Sequence, residues 1–290
     1  MNDALNSMLS RYQPRSLDES LQALREIVQE IALLGLWRAK FFDKAAFYGG
    51  SALRILHGLD RFSEDLDFSL LHRRADFDLS GSLASLEREV EAFGFSFKAE
   101  IVQKRVATPI QSAFLKGDTQ KALLVIRAGE EILRLVPRGQ TVKINLEVDT
   151  DPPGGFATET HYLLQPIPFA VRVFSLPDLF AGKMHAVLCR RWKSRVKGRD
   201  WYDLVWYVGR YPELRLSHLE QRMRQTGDWA GNDPLSVDTF RSLLNEAIEK
   251  LDVEQAKREV LPFVRRPEAL SVWSKAFFRD IAERITFSRG

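Results

Sequence analysis

Asp65 and Asp67 lie in Asp65-Leu-Asp-Phe-Ser-Leu70, where polar and apolar residues alternate with the period of a β-strand. Side chains two apart on a strand leave the same face, their Cα atoms about 7 Å apart. Both carboxylates can therefore address one divalent cation. Mg²⁺ (or Mn²⁺) takes hard oxygen ligands, commonly one or two carboxylates together with substrate phosphates, so the pair suits phosphoryl or nucleotidyl transfer. Asp76-Phe-Asp78 and Asp149-Thr-Asp151 share the spacing, so the meaning comes from context. Gly49-Gly50-Ser51 follows the short apolar run Ala45 to Tyr48 and opens a helical pattern ended by Gly58. Backbone N–H groups at such a helix start hold phosphate, and glycine lets the phosphate approach closely. Thirteen residues separate Ser51 from Asp65, room for a short helix and a return loop that bring both elements to one ligand. A third carboxylate, needed if two metals are used, is expected from a neighbouring strand. In Lys143-Ile-Asn-Leu-Glu-Val-Asp149, Lys143, Asn145, Glu147 and Asp149 share a face, and Glu147 is the candidate.

Charge supplies a second group of residues. The net charge of +3 is too small to declare a polyanionic partner, yet Lys183 to Arg199 contains seven Lys or Arg residues and no Asp or Glu. Lys183 falls on a helical pattern with Leu179, Met184, Val187 and Leu188. Arg199, Asp200 and Asp203 open the next one, whose apolar stripe is Trp201, Leu204, Val205 and Val208. The plain structural expectation here is an Arg199 to Asp203 pair at i,i+4. The functional one makes Lys183 a point charge for a triphosphate and Arg190 to Lys197 a landing surface for RNA or another polyanion.

These groups need a folded scaffold, and 290 residues with 45% apolar and 28% charged content exclude a disordered or low-complexity chain. Leu17, Leu21, Leu24, Val28 and Ile31 predict a helix capped by Ser16, with Glu19 completing a capping box. A second helical pattern runs through Leu83, Leu86, Val90 and Phe93. Strands are expected at Phe95 to Ile101, Leu123 to Arg127, Ile132 to Val136 and Val142 to Val148, forming a mixed sheet. Asp151-Pro-Pro-Gly-Gly155 and three further prolines punctuate the chain, placing a boundary near residue 170. Beyond it, helices are predicted near 177 to 192, 199 to 210, 235 to 250 and 267 to 285, the third capped by Ser236 or Asp238. The fold class is α+β. Cys189 is the single cysteine, and the first thirty residues carry no secretory apolar run, so a cytoplasmic location is expected. The longest apolar stretch, Ile31 to Trp37, is far short of the roughly 20 residues of a bilayer span.

With four motifs in order, Gly49-Gly-Ser-Ala-Leu53, Arg61-Phe-Ser-Glu-Asp-Leu-Asp-Phe68, Gly182-Lys-Met-His-Ala186 and Lys197-Gly-Arg-Asp-Trp-Tyr-Asp203, the chain resembles the AbiEii/AbiGii-type nucleotidyltransferase toxins of the polymerase-beta-like superfamily. The resemblance implies a nucleotidyltransferase-like catalytic domain over 1–170 and a mainly helical domain over 171–290 that contributes Lys183 and Asp200 or Asp203. It implies that Gly49, Gly50 and Ser51, with Arg61 and Arg199, bind an NTP. Asp65 and Asp67 would ligate Mg²⁺, with Glu147 in the place of a third acid, and Lys183 would contact the triphosphate. The implied reaction moves NMP to an acceptor hydroxyl, with tRNA 3′ ends as one acceptor class and a separately encoded antitoxin as partner. Nucleotidylation of a protein or small molecule, and a non-catalytic RNA-binding module, are the rival readings. Charge reversal across Arg190 to Lys197 is expected to weaken RNA modification while leaving NTP binding nearly intact, as measured by labelled-NTP incorporation beside an equilibrium nucleotide-binding assay.

Overall fold

A computed structural model describes residues 3–103, 108–190 and 197–288. The chain divides into two units, the first made of Met1–Gly58, Ser63–Pro152 and Glu159–Val173, the second of Leu59–Phe62, Pro153–Thr158 and Phe174–Gly290. Among the described residues the chain runs α1 (Asp3–Leu9), α2 (Leu17–Arg38), β1 (Ala45–Tyr48), α3 (Gly49–His57), β2 (Asp65–Leu70), α4 (Ser80–Ala92), β3 (Phe97–Ile101) and β4 (Ile110–Asp118). It continues through α5 (Thr119–Val125), α6 (Glu130–Leu135), β5 (Thr141–Asp149), β6 (Thr158–Leu163) and β7 (Phe169–Phe174).

The strands form one mixed sheet in the order β3-β4-β5-β2-β1-β7-β6. Alternation decides its two faces. On β5, Val142, Ile144, Leu146 and Val148 are buried while Lys143 and Glu147 are exposed. Helix α2 packs on β5 and on α4. A Cβ added at Gly35 would lie 3.0 Å from the Leu86 Cα, so the two helix backbones approach closely at that glycine. Ser16 caps α2 by accepting from the Glu19 N–H at 3.2 Å, whereas the Glu19 carboxylate accepts from the Arg15 N–H at 2.6 Å, one residue further back than a standard capping box. Phe68, fully buried on β2, has ring centroids of Phe41 at 5.0 Å and Phe47 at 5.2 Å.

Two expected strands are helices. At Leu123 to Arg127 the Asp118 carboxylate accepts from the Lys121 N–H at 2.8 Å and starts α5, which buries Ala122 and Leu123 and exposes Leu124. At Ile132 to Val136, Glu130 and Glu131 occupy the first turn of α6 and an Arg134–Glu130 pair at 3.0 Å spans it, so helix-end charge and i,i+4 pairing prevail over a short apolar run. Strand β4 went unpredicted because its buried positions, Ser112, Ala113, Leu115 and Gly117, include small and polar residues that give little apolar signal. A Cβ at Gly117 would sit 2.8 Å from the Phe97 ring, so the missing side chain makes room for an aromatic. The edge strand β6 and its neighbour β7, which lies between β6 and β1, were likewise unpredicted.

The second unit is mainly helical: α7 (Leu176–Cys189), α8 (Gly198–Arg210), α9 (Leu216–Thr226), α10 (Val237–Lys250), α11 (Val253–Val260) and α12 (Lys275–Glu283), with a small parallel pair of strands, β8 (Glu213–Leu214) and β9 (Thr286–Phe287). Ser236 is the cap of α10, accepting from the Thr239 N–H at 3.1 Å. The helix expected over 267 to 285 is confined to α12, because Pro267 starts a separate 3₁₀ turn and Ser274 caps the helix itself. Helices α9 and α11 were not foreseen. Helix α8 is flanked by α7, α11 and α12, and it buries Tyr202, Asp203, Trp206 and Tyr207 beyond its predicted stripe. No helix among the described residues is long and apolar enough to cross a membrane. Phe68→Ala is expected to lower unfolding free energy by about 3–5 kcal/mol, read from denaturant midpoints at constant m-value.

Candidate active site

The carboxylate face of the first unit is set by strand register. Tyr48 of β1 pairs with Asp67 of β2, which pairs in turn with Glu147 of β5, while Asp65 pairs with Asn145. Opposed residues share a face, so Asp65, Asp67, Asn145 and Glu147 stand together, the two aspartates half-buried and Glu147 exposed. Asn145 Nδ2 donates to Asp65 Oδ1 at 2.8 Å and orients that carboxylate. Sequence reasoning placed Asn145 on this face without giving it a role.

Because Tyr48 ends β1 and α3 begins at Gly49, the first turn of α3 lies beside Asp67. Gly49 has φ of 81°, and a Cβ there would collide with Asp67 Oδ2, so both conformation and space require glycine. Gly50 is buried. The Ser51 hydroxyl is also buried and donates to the Asp65 carbonyl, bracing α3 against β2. What the turn offers an anion is therefore backbone N–H groups and the positive helix end.

The second unit contains a buried ionic cluster. Arg61 Nε and Nη2 donate to Asp203 Oδ1 and Oδ2, both at 2.6 Å, and Lys183 Nζ lies 2.6 Å from Oδ2. Arg61 is 2% exposed and Asp203 0%. The third guanidinium nitrogen of Arg61 donates to the Phe62 carbonyl at 2.9 Å, and the Phe62 N–H donates to Phe263 O at 2.9 Å, which ties the 59–62 segment into the helical unit. Burial alone would raise the Asp203 carboxyl, but Arg61 and Lys183 hold it below the ordinary carboxylate range. Burial opposes the charge on Arg61 as well, and Asp203 reverses that effect, raising Arg61 further. Tyr207, pushed well up by burial and then by Asp203, stays a neutral phenol. Asp200 lies beside the cluster, 3.6 Å from Lys183 Nζ and 3.5 Å from Arg190 Nη1.

Residues 31–279 match the family described as nucleotidyl transferase AbiEii toxin, Type IV TA system. The chain belongs to the AbiEii family. It is thus a nucleotidyltransferase of a toxin–antitoxin family, and a cognate antitoxin is implied by that membership. No curated protein matches it. Its fold is similar to that of a candidate nucleotidyltransferase from H. pylori, 17% identical, with a TM-score of 0.50 over 90% of this chain and 92% of that one. JHP933 from Helicobacter pylori, 16% identical with a TM-score of 0.49, is matched over 90% of both chains.

Within this AbiEii-family chain several expected residues have other partners. Arg199 does not pair with Asp203. Its Nε lies 3.9 Å from Glu259 Oε1, its N–H donates to Glu259 Oε2 at 3.2 Å, and its guanidinium stacks 4.2 Å from the Phe263 ring centroid. Asp203 turns instead toward Arg61 and Lys183, which leave its oxygens no need of Arg199. Gly198 in the last motif has a packing cause: a Cβ there would collide with the Ala256 carbonyl of α11. Arg61, expected among nucleotide-binding groups, is the buried anchor of Asp203. Residues 191–196 of the basic segment, with Arg191, Lys193 and Arg195, lie outside the described residues.

Asp203→Asn leaves two cations facing a neutral amide and is expected to destabilise the fold by about 3–5 kcal/mol. Lys183→Met should cost less, since Arg61 still compensates Asp203. The folded Asp203 carboxyl titrates below its unfolded value of about 3.9, so its contribution is complete above that pH and declines as pH falls further. The stability gap between wild type and Asp203→Asn should therefore narrow below about pH 4, as followed by urea unfolding across pH.

Proposed function

We propose that the chain transfers a nucleoside monophosphate from an NTP to the 3′ end of tRNA, with Mg²⁺ held by Asp65, Asp67 and Glu147. One observation supports this most: register alone aligns three carboxylates on one sheet face, beside a glycine turn whose backbone abuts Asp67. The donor set fits the ion, since all three side chains offer hard oxygens at partly solvated positions. When bound, Mg²⁺ would offset negative charge on the phosphates during transfer.

The chain's own residues bind and orient. The first turn of α3 presents N–H groups to phosphate oxygens, Asn145 fixes the Asp65 carboxylate, and the Ser51 brace keeps turn and carboxylates in register. The acceptor hydroxyl gives up its proton to solvent as its oxygen bonds to the α-phosphorus, the α–β bridging P–O bond breaks, and pyrophosphate leaves. The tRNA assignment draws on the family's toxin class and on the Lys183 to Arg199 stretch, which carries seven Lys or Arg residues and no Asp or Glu of its own. Capping a tRNA 3′ end removes the hydroxyl that accepts the amino acid, so growth arrest, relieved by the antitoxin, is the proposed cellular outcome.

Incubation with labelled NTPs, Mg²⁺ and total tRNA should label tRNA. Asp67→Ala, Gly49→Ala and chelation of the metal should each reduce incorporation by about 10²–10³-fold or more. Equal labelling by wild type and Asp67→Ala would remove the catalytic assignment, and label appearing in protein would reassign the acceptor.

A further inference from the structure

The second unit holds a group of donors unlike the carboxylate face. His185 and Cys189 stand at i and i+4 on α7, hence on one side of the helix, and Asp228 follows the C-cap of the adjacent helix α9. Gly227, with φ of 78°, turns the chain there, and the Asp228 N–H donates back to Met223 O at 2.8 Å, which returns the aspartate toward α7. One donor atom from each of His185, Cys189 and Asp228 lies within 4.8 Å of the other two, and all three residues are half-buried.

We propose that these three residues form a binding site for one transition-metal ion of the zinc class. Imidazole, thiolate and carboxylate together favour Zn²⁺ or Co²⁺ over Mg²⁺. Ligand bonds of about 2.0–2.3 Å put tetrahedral donor atoms roughly 3.3–3.8 Å apart, a small inward rotation from the present positions. The supporting contacts are already built: the Thr226 hydroxyl lies 3.0 Å from His185 Nε2 and 2.7 Å from Asp228 Oδ2, bridging two of the three side chains. Cys189 and Asp228 also line a cavity of about 480 Å³ together with Arg190 and Asp200, so a fourth position is open to water or an incoming ligand. Cys189 is the last residue of α7, so the metal would tie the end of that helix to the end of α9.

Co²⁺ titration of the full-length chain in excess Mg²⁺ tests the site. One equivalent should bind with an intense near-ultraviolet thiolate-to-cobalt band and tetrahedral visible bands. Cys189→Ser should abolish the thiolate band, and His185→Gln should weaken Co²⁺ binding at least about tenfold. Asp67→Ala should leave the spectrum intact, which separates this site from any cation at the carboxylate face. Because Cys189 is the only thiol, Zn²⁺ should also slow its reaction with a thiol reagent at least about tenfold. An oxygen-only cobalt spectrum, a spectrum unchanged in Cys189→Ser, or thiol reactivity indifferent to Zn²⁺ would overturn the proposal.

Discussion

The pairing of β2 with β1 on one side and β5 on the other is the constraint on which the catalytic face rests. Strand side chains repeat every two residues, so a one-residue slip of β2 would send Asp65 and Asp67 into the space of Leu66 and Phe68. Two features oppose such a slip. Phe68 and Leu66 are fully buried, and placing carboxylates among apolar groups would cost several kcal/mol (~2–7 for an unpaired polar group). Gly49, lying against the Asp67 carboxylate, leaves that position no neighbour of larger size. The buried face thus determines where the chemistry of the exposed face stands.

The helical unit solves a different problem. Helix α8 is enclosed by other helices and still carries two carboxylates on its first two turns. A buried Asp203 without partners would be protonated or would unfold the helix around it. A bidentate guanidinium meets both oxygens in one plane, and the Lys183 ammonium adds a second cation from α7. The excess positive charge is moderated by Asp200, which faces both Lys183 and Arg190. The cluster joins α7, α8 and the 59–62 segment without demanding a large apolar surface from any of them.

Much of this could be read in the residues. The Asp65–Leu70 strand, the glycine-led helix at Gly49 and the Lys143–Asp149 strand carry strong two-residue or capping signals, and all stand as expected. The face shared by Asn145 and Glu147 followed from strand phase alone. What could not be read was partner choice. Nothing in the spacing of Arg199 and Asp203 reveals Glu259 or Arg61, because those partners arrive from 60 and 142 residues away. Short elements such as α5 and α6 defeated periodicity for a related reason: so few apolar residues fit either structure, and the Asp118 cap decides for α5 while first-turn acids and the Arg134–Glu130 pair decide for α6. The small-residue strand β4 hid its alternation behind Gly117.

Arg61 reaches the ribosome exit long before Asp203 does, yet it belongs to the unit that Asp203 completes. A nascent chain that has already made β1 and β2 carries, between them, four residues that find their own neighbours only after the helical region has been synthesised. Closing so long a loop is entropically slow, and contacts this distant in sequence delay the last stage of folding. The helical unit is therefore whole only when two stretches of chain 142 residues apart are both present, and a cut or insertion anywhere between them leaves either Arg61 or Asp203 to find its counter-charge across the break.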